Sequence, residues 1–230
     1  MKNWEVKLKG DGLFLNELSQ EYCSPELCIL ARDEEYFLTS NKFSLLSDNL
    51  ALYLRGVELI EFINASSKMF SNKHRPIELD GFWSIDEGIR KNEFIAIGDV
   101  SLSFTHVVFE NNPAPKEWYQ IWEAFDRVKY VFRLFNDDSL LDWFSLFMIY
   151  ETIRDDRTFA DKPKEGVEKI EECISKIKNE SFFKTANWYR HSDFGKTRGE
   201  ANIRPSIEMS LSEGNNLIRD LINFWMNCKT

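Results

Sequence analysis

Between Asn111 and Pro115 the chain reads Asn-Asn-Pro-Ala-Pro, and two prolines in three residues stop both a helix and a ladder of strand hydrogen bonds. The spacing of apolar residues changes across this break. Before it, Trp4, Val6 and Leu8 alternate with Glu5, Lys7 and Lys9, the period of a strand with one apolar face. After it, Trp118, Ile121, Trp122, Phe125, Val128, Phe132 and Phe135 recur every three or four residues, the period of an amphipathic helix. The change predicts an α+β chain: an antiparallel sheet with two helices over residues 1–110, then a four-helix bundle-like domain over 116–230.

Ahead of the break the pattern predicts a helix over Leu13–Gln20 and a hairpin of Leu27–Ala31 and Tyr36–Thr39 turning at Arg-Asp-Glu-Glu. Ser47 or Asp48 caps a helix running to Ser67, with Leu50, Leu54, Val57, Ile60 and Ile63 as its buried stripe. Strands follow over Ile77–Ile85, Glu93–Ile97 and Val100–Phe109, the first two joined at Asp86-Glu87-Gly88. His106 falls on the apolar face of the third strand and reads as a core residue, and His74 as a loop residue.

Beyond the break a long helix spans Lys116–Phe135, and Asn136-Asp137-Asp138-Ser139 stops it and caps the next. That second helix is apolar nearly all round from Leu140 to Ile153, which places it at the bundle centre. Near its end, Glu151 and Arg154 stand one turn apart, as a local ion pair or as a contact to a later basic stretch. A third helix covers Glu165–Asn179, with Val167, Ile170, Ile174 and Ile177 inward. A fourth starts at Ser210, where Ser-Leu-Ser-Glu has capping-box form, and buries Leu217, Ile218, Leu221, Ile222 and Trp225.

The third and fourth of these helices are joined by Ser181–Met209, far longer than the usual ~2–8 residues of a bundle connection. From Phe182 to Ser206 it carries Lys184, Arg190, Lys196, Arg198 and Arg204 against Asp193 and Glu200, five minus two or +3, in a chain of net charge −9. If Phe182–Tyr189 is helical, Lys184, Asn187, Arg190 and His191 share one side and Phe183, Ala186 and Tyr189 turn inward. Such a face suits an anion: arginine donates charge-assisted bonds to phosphate, asparagine reads a base edge or a phosphate, and Trp188 or Tyr189 can stack a base. Its bland alternative is a basic loop pinned to acidic residues such as Glu151.

An overall charge of −9 argues against a generally basic nucleic-acid or membrane-surface protein. No run reaches the ~18 apolar residues of a membrane span and no secretory apolar core is present, so a cytoplasmic location without a membrane partner is expected. Cys23, Cys28, Cys173 and Cys228 form no Cys-x-x-Cys and read as free thiols. Three dispersed histidines give no metal site, and no nucleotide or hydrolase fingerprint occurs, so no cofactor is expected.

Tyr-Glu-Thr-Ile-Arg at 150–154, Ala-Asn-Trp-Tyr-Arg-His-Ser at 186–192 and Met-Ser-Leu-Ser-Glu at 209–213 together resemble a set of bacterial proteins of about this length. The helical half is also distantly similar to HEPN domains, four-helix bundles found in ribonucleases and bacterial conflict systems. Their signature is an arginine, usually followed by a polar residue, then four to six residues and a histidine; in that family the arginine and histidine meet across a dimer and cleave RNA without metal. Here Asn187 and His191 match the polar residue and the histidine, and Ala186 stands at the arginine position.

Three functions follow as expectations. The leading one is a non-enzymatic binding or accessory protein of a bacterial system, recognising RNA, DNA or an acidic protein surface through Lys184, Asn187, Arg190, Arg198 and Arg204. Another is a metal-independent ribonuclease using His191, with Arg190 or Lys184 in place of the missing arginine. The third is a structural subunit that pairs with another protein or with itself.

Overall fold

A computed structural model describes residues 3–46, 48–70, 76–86, 89–93, 116–136, 142–156, 164–179, 181–192 and 208–229. The fold is α+β, and the chain divides into two compact units, Met1–Lys116 and Glu117–Thr230. The strand expected over Val100–Phe109, with His106, and the His74 loop lie outside the described residues.

Among the described residues the first unit holds a five-stranded antiparallel sheet in the order β2-β3-β1-β4-β5, with β1 Asn3–Lys9, β2 Cys28–Arg32, β3 Glu35–Thr39, β4 Glu78–Asp86 and β5 Ile89–Glu93. Helix α1, Gly12–Glu21, starts at Asp11, whose carboxylate accepts from the Phe14 amide at 3.1 Å. Helix α2, Asn49–Phe70, is capped by Asp48, which accepts from the Ala51 amide at 2.7 Å.

Register explains the core. Val6 lies opposite Leu38 and Phe82, and Leu38 opposite Ile29, so all four share one sheet face, and all are buried. The expected stripe on α2 holds at Ile60 and Ile63 and is corrected at its start: Leu50 and Leu54 are exposed, while Leu52, Leu59 and Phe62 are buried with Ile60 and Ile63. Both series fit helical spacing, and Gly56 decides between them. A Cβ at Gly56 would sit 3.4 Å from Val6 and 3.6 Å from Leu79 and Phe82, so this side of α2 is the one that approaches the sheet. Asn64 then clamps the entry to β4, donating to the Ile77 carbonyl at 2.9 Å and accepting from its amide at 2.8 Å.

Two strand details depart from expectation. β5 begins four residues before Glu93, because Asp86 pairs with Ile89 and a two-residue connection forces pairing to start at once. β1 pairs with β4 through a bulge: Lys7 faces Gly81 and Leu8 faces Leu79, leaving Asp80 extra, and Gly81 takes the φ of +151° the kink requires. The β2–β3 turn is the expected hairpin, with Asp33 and Glu34 both at positive φ.

Glu5 also breaks the simple alternation. It faces away from Val6 and Leu8, yet it is buried, because Arg32 reaches it at 3.2 and 3.3 Å and Arg90 at 2.8 Å. Arg90 lies flat over Phe37, 3.8 Å from the ring centroid, and over Trp83 at 4.5 Å.

The second unit is helical: α3 Lys116–Ala124, α4 Asp126–Asn136, α5 Trp143–Arg154, α6 Lys164–Asn179, α7 Ser181–Ser192 and α8 Leu211–Lys229. The single helix expected over Lys116–Phe135 is broken at Phe125, which is partly exposed and carries the Lys229 ammonium over its ring at 4.7 Å. Asp142 caps α5, accepting from the Ser145 amide at 2.8 Å, so the cap lies beyond the expected Asn136–Ser139. As its composition predicts, α5 is central and packs on α4, α7 and α8. The four-helix ring is α5, α8, α6 and α7, each touching the next and α7 closing onto α5. The linking stretch thus supplies a member of the bundle in place of the first long helix. At Ser210 the capping box forms in both directions, with the Glu213 amide donating to the serine hydroxyl at 3.3 Å and the Ser210 amide to the Glu213 carboxylate at 2.9 Å.

Candidate anion-binding face of helix α7

Helix α7 is seated by one stripe. Phe182, Thr185 and Ala186 are fully buried, and Tyr189 stacks on Trp143 at 6.1 Å with the planes 10° apart. Trp143 also meets the edge of Phe182 at 5.5 Å, and its far side abuts α8, where a Cβ at Gly214 would come within 2.7 Å of the indole. One tryptophan therefore sets the rotation of α7. Phe183, expected inward, is only half-buried and leans on Phe147 at 5.6 Å.

At ~100° per residue, this seat leaves Lys184 and Asn187 within about 60° of each other on the opposite side. Lys184 is exposed and Asn187 half-buried. Arg190 and His191 belong to the last turn of α7. Trp188 is half-buried beside them and meets Tyr189 edge to face at 4.7 Å. Ala186, the counterpart of the HEPN arginine, belongs to the buried stripe.

The chain returns to the same helix. The Met209 amide donates to the Thr185 hydroxyl at 3.2 Å, and the Tyr189 hydroxyl donates to the Glu208 carboxylate. Arg198 and Arg204 lie outside the described residues; the described chain ends α7 at Ser192 and resumes at Glu208, against the same helix. Charge and spacing alone did not reveal Thr185, Glu208 and Trp143 as the seat. A threonine one turn from both Phe182 and Tyr189 was the available signal.

Glu151 and Arg154 answer to each other locally. The Arg154 guanidinium contacts Glu151 at 3.4 Å and Asp155 at 2.7 and 3.1 Å, and Asp155 holds its pKa above the ordinary value. Burial likewise raises the Tyr150 hydroxyl beneath it.

A second polar concentration is hidden in the sequence because Asp155-Asp156-Arg157 looks like a solvated charge run. The Asp156 carboxylate is buried and accepts from the Trp225 indole at 2.8 Å; Lys229 lies 2.7 Å away, itself buried, and Arg127 3.6 Å away. The pair satisfies itself in a closed position, which suits holding α5 to α8 more than meeting a ligand.

Among the described residues no helix is long and apolar enough to cross a membrane. Comparison with family models, curated proteins and solved structures gives no match to this chain.

Proposed function

We propose that this protein is a non-catalytic binding or accessory protein that recognises an anionic ligand through the outer side of α7 and the cationic segment following it. What supports the reading is the closure of that segment on the helix: Ser192 leaves from α7, and Glu208 and Met209 rejoin it at Tyr189 and Thr185. Connectivity thereby ties the local +3 of residues 182–206, on a chain of −9, to one helix. Lys184 and Asn187 supply a cation and an amide on its outer side, Arg190 and His191 follow in its last turn, and Arg198 and Arg204 come from the sequence between Ser192 and Glu208. Cationic and amide donors of this kind bind phosphate oxygens, with single-stranded RNA as the first ligand to examine.

The test is binding of a labelled single-stranded RNA, a DNA of the same sequence and an acidic protein partner, over a salt series and in chelator. Changing Lys184, Arg190, Arg198 and Arg204 together to glutamate is expected to abolish RNA binding. Single changes should lower the slope of log affinity against log salt by ~0.7 for each phosphate that is no longer neutralised. Unchanged binding of all three ligands by the quadruple variant refutes the site. RNA cleavage in chelator that disappears in His191→Ala would replace this reading with the ribonuclease one.

A further inference from the structure

Two of the four cysteines face each other in the sheet unit. Cys23 and Cys28 form an antiparallel bridge between the end of α1 and the start of β2. The flanking hydrogen bonds fix the type of pair. Ser24 and Leu27 exchange both backbone bonds, at 3.1 and 3.2 Å, around a turn with Pro25 in its second position, and Ile29 donates to the Tyr22 carbonyl at 2.8 Å. Cys23 and Cys28 lie between these two bonded positions and so form a non-hydrogen-bonded pair. Such pairs bring Cα atoms to ~4.5 Å with side chains on one face, inside the ~4.4–6.8 Å range of a disulfide.

The thiols are also chemically unequal. Cys23 is exposed and Cys28 half-buried; burial raises the Cys28 pKa, and a hydrogen bond with the Cys23 thiol raises it further. Both line an open cleft of ≈ 490 Å³ with Asn3, Glu5, Thr39 and Ser44. No third His, Cys, Asp or Glu joins them in a metal-binding group among the described residues. Cys173 and Cys228 are buried in the helical unit.

We propose that Cys23 and Cys28 are a reversible dithiol–disulfide site, oxidised by a low-molecular-weight disulfide that enters this cleft. Cys23 loses its proton and its thiolate attacks one sulfur of the reagent, breaking the reagent's S–S bond and releasing one thiol. The Cys28 thiolate then attacks the Cys23 sulfur of the mixed disulfide, forms the Cys23–Cys28 bond and expels the second thiol. Two protein thiols thus lose two electrons and two protons, and one reagent disulfide becomes two thiols. Exposure makes Cys23 the entry point, and the bridge makes Cys28 the resolving partner. Only four residues are enclosed, so the bond constrains the unfolded chain little and acts as a modification more than as a staple.

Reduced full-length protein, equilibrated in oxidised and reduced glutathione mixtures, acid-quenched and alkylated, tests this by intact mass and peptide mapping. The expected wild-type product has lost two hydrogens and yields one cross-linked peptide pair joining Cys23 and Cys28, restored by dithiothreitol. Cys28→Ser should accumulate one glutathione on Cys23, and Cys23→Ser should give no internal disulfide. The wild-type map decides the matter even if a variant folds poorly. Intermolecular dimers through Cys23, oxidation first at Cys173 or Cys228, or a wild-type chain that remains fully reduced in the most oxidising mixture would each overturn the proposal.

Discussion

Both units bury a carboxylate, and they neutralise it by opposite means. Glu5 on the sheet is 3% exposed, but its partners keep contact with water: Arg32 is 42% exposed and Arg90 25%. A guanidinium is weakly hydrated and planar, so covering Arg90 with Phe37 and Trp83 costs less than covering an ammonium would. Asp156 in the bundle is 1% exposed, and its closest cation, Lys229, only 3%. An ammonium is a compact, strongly hydrated charge, and enclosing it sacrifices far more. Because the closest cation at Asp156 is enclosed, with only the more distant Arg127 open to water, while both cations at Glu5 are partly exposed, the two sites should respond differently when one partner is removed.

The largest effect is expected at Asp156. Asp156→Ala strands the Lys229 ammonium and leaves the Trp225 indole without its acceptor, a loss of ~3–5 kcal/mol measurable by urea unfolding. Replacing both charges, as Asp156→Leu with Lys229→Met, should recover most of that loss, since buried ion pairs exchanged for apolar side chains are often neutral. If the double variant is as unstable as the single one, the enclosed pair is worth more than its desolvation. Glu5→Ala should cost less, ~1–3 kcal/mol, because Arg32 and Arg90 can turn to solvent. Equal losses at the two positions would break the contrast.

Salt gives a smaller and more direct test. Moderate sodium chloride should weaken the Glu5 site and leave the Asp156 pair untouched, so the gap between Glu5→Ala and wild type narrows as salt rises while that for Asp156→Ala does not. The smallest effect belongs to a third carboxylate, the exposed Glu213. Hydrogen bonds from Ser210 hold its pKa below the ordinary carboxylate value. A lowered folded pKa means stabilisation that is complete above the ordinary value and is lost as pH falls through the folded one. The protection of the first-turn amides of α8, taken relative to their intrinsic exchange at each pH, should therefore fall on acidification in wild type and not in Glu213→Gln.

The same contrast explains what could be read from residues alone. Local rules worked wherever cause and effect lie within one turn or one pleat: the β1 alternation, the hairpin at Asp33-Glu34, the Ser210 capping box and the central position of α5. They failed where a distant partner decides. Nothing near Glu5 announces that Arg32 and Arg90 will cover it, and nothing near Asp156 announces Lys229. On α2, two apolar series compete, and the sheet facing Gly56 makes the choice. At the candidate site, charge pattern and spacing placed Lys184, Asn187, Arg190 and His191 on one side of a helix. The rotation that turns Lys184 outward comes from Trp143, some forty residues earlier in the sequence.

The position of β1 between β3 and β4 has a consequence during synthesis. The first strand made is the central one, and its two neighbours arrive at different times. Once β3 is out, β1 can close the β2-β3-β1 half, but its other edge waits for β4, which begins at Glu78. At roughly 5–20 residues per second the wait is roughly 2–8 seconds, during which an open strand edge could recruit another nascent chain. Lys7 and Lys9 sit on that edge. In the finished sheet they pair with Glu35, Asp80 and Glu78; before β4 exists Asp80 and Glu78 are not yet there to neutralise them, so the waiting edge carries lysine charge, the kind of edge that resists pairing.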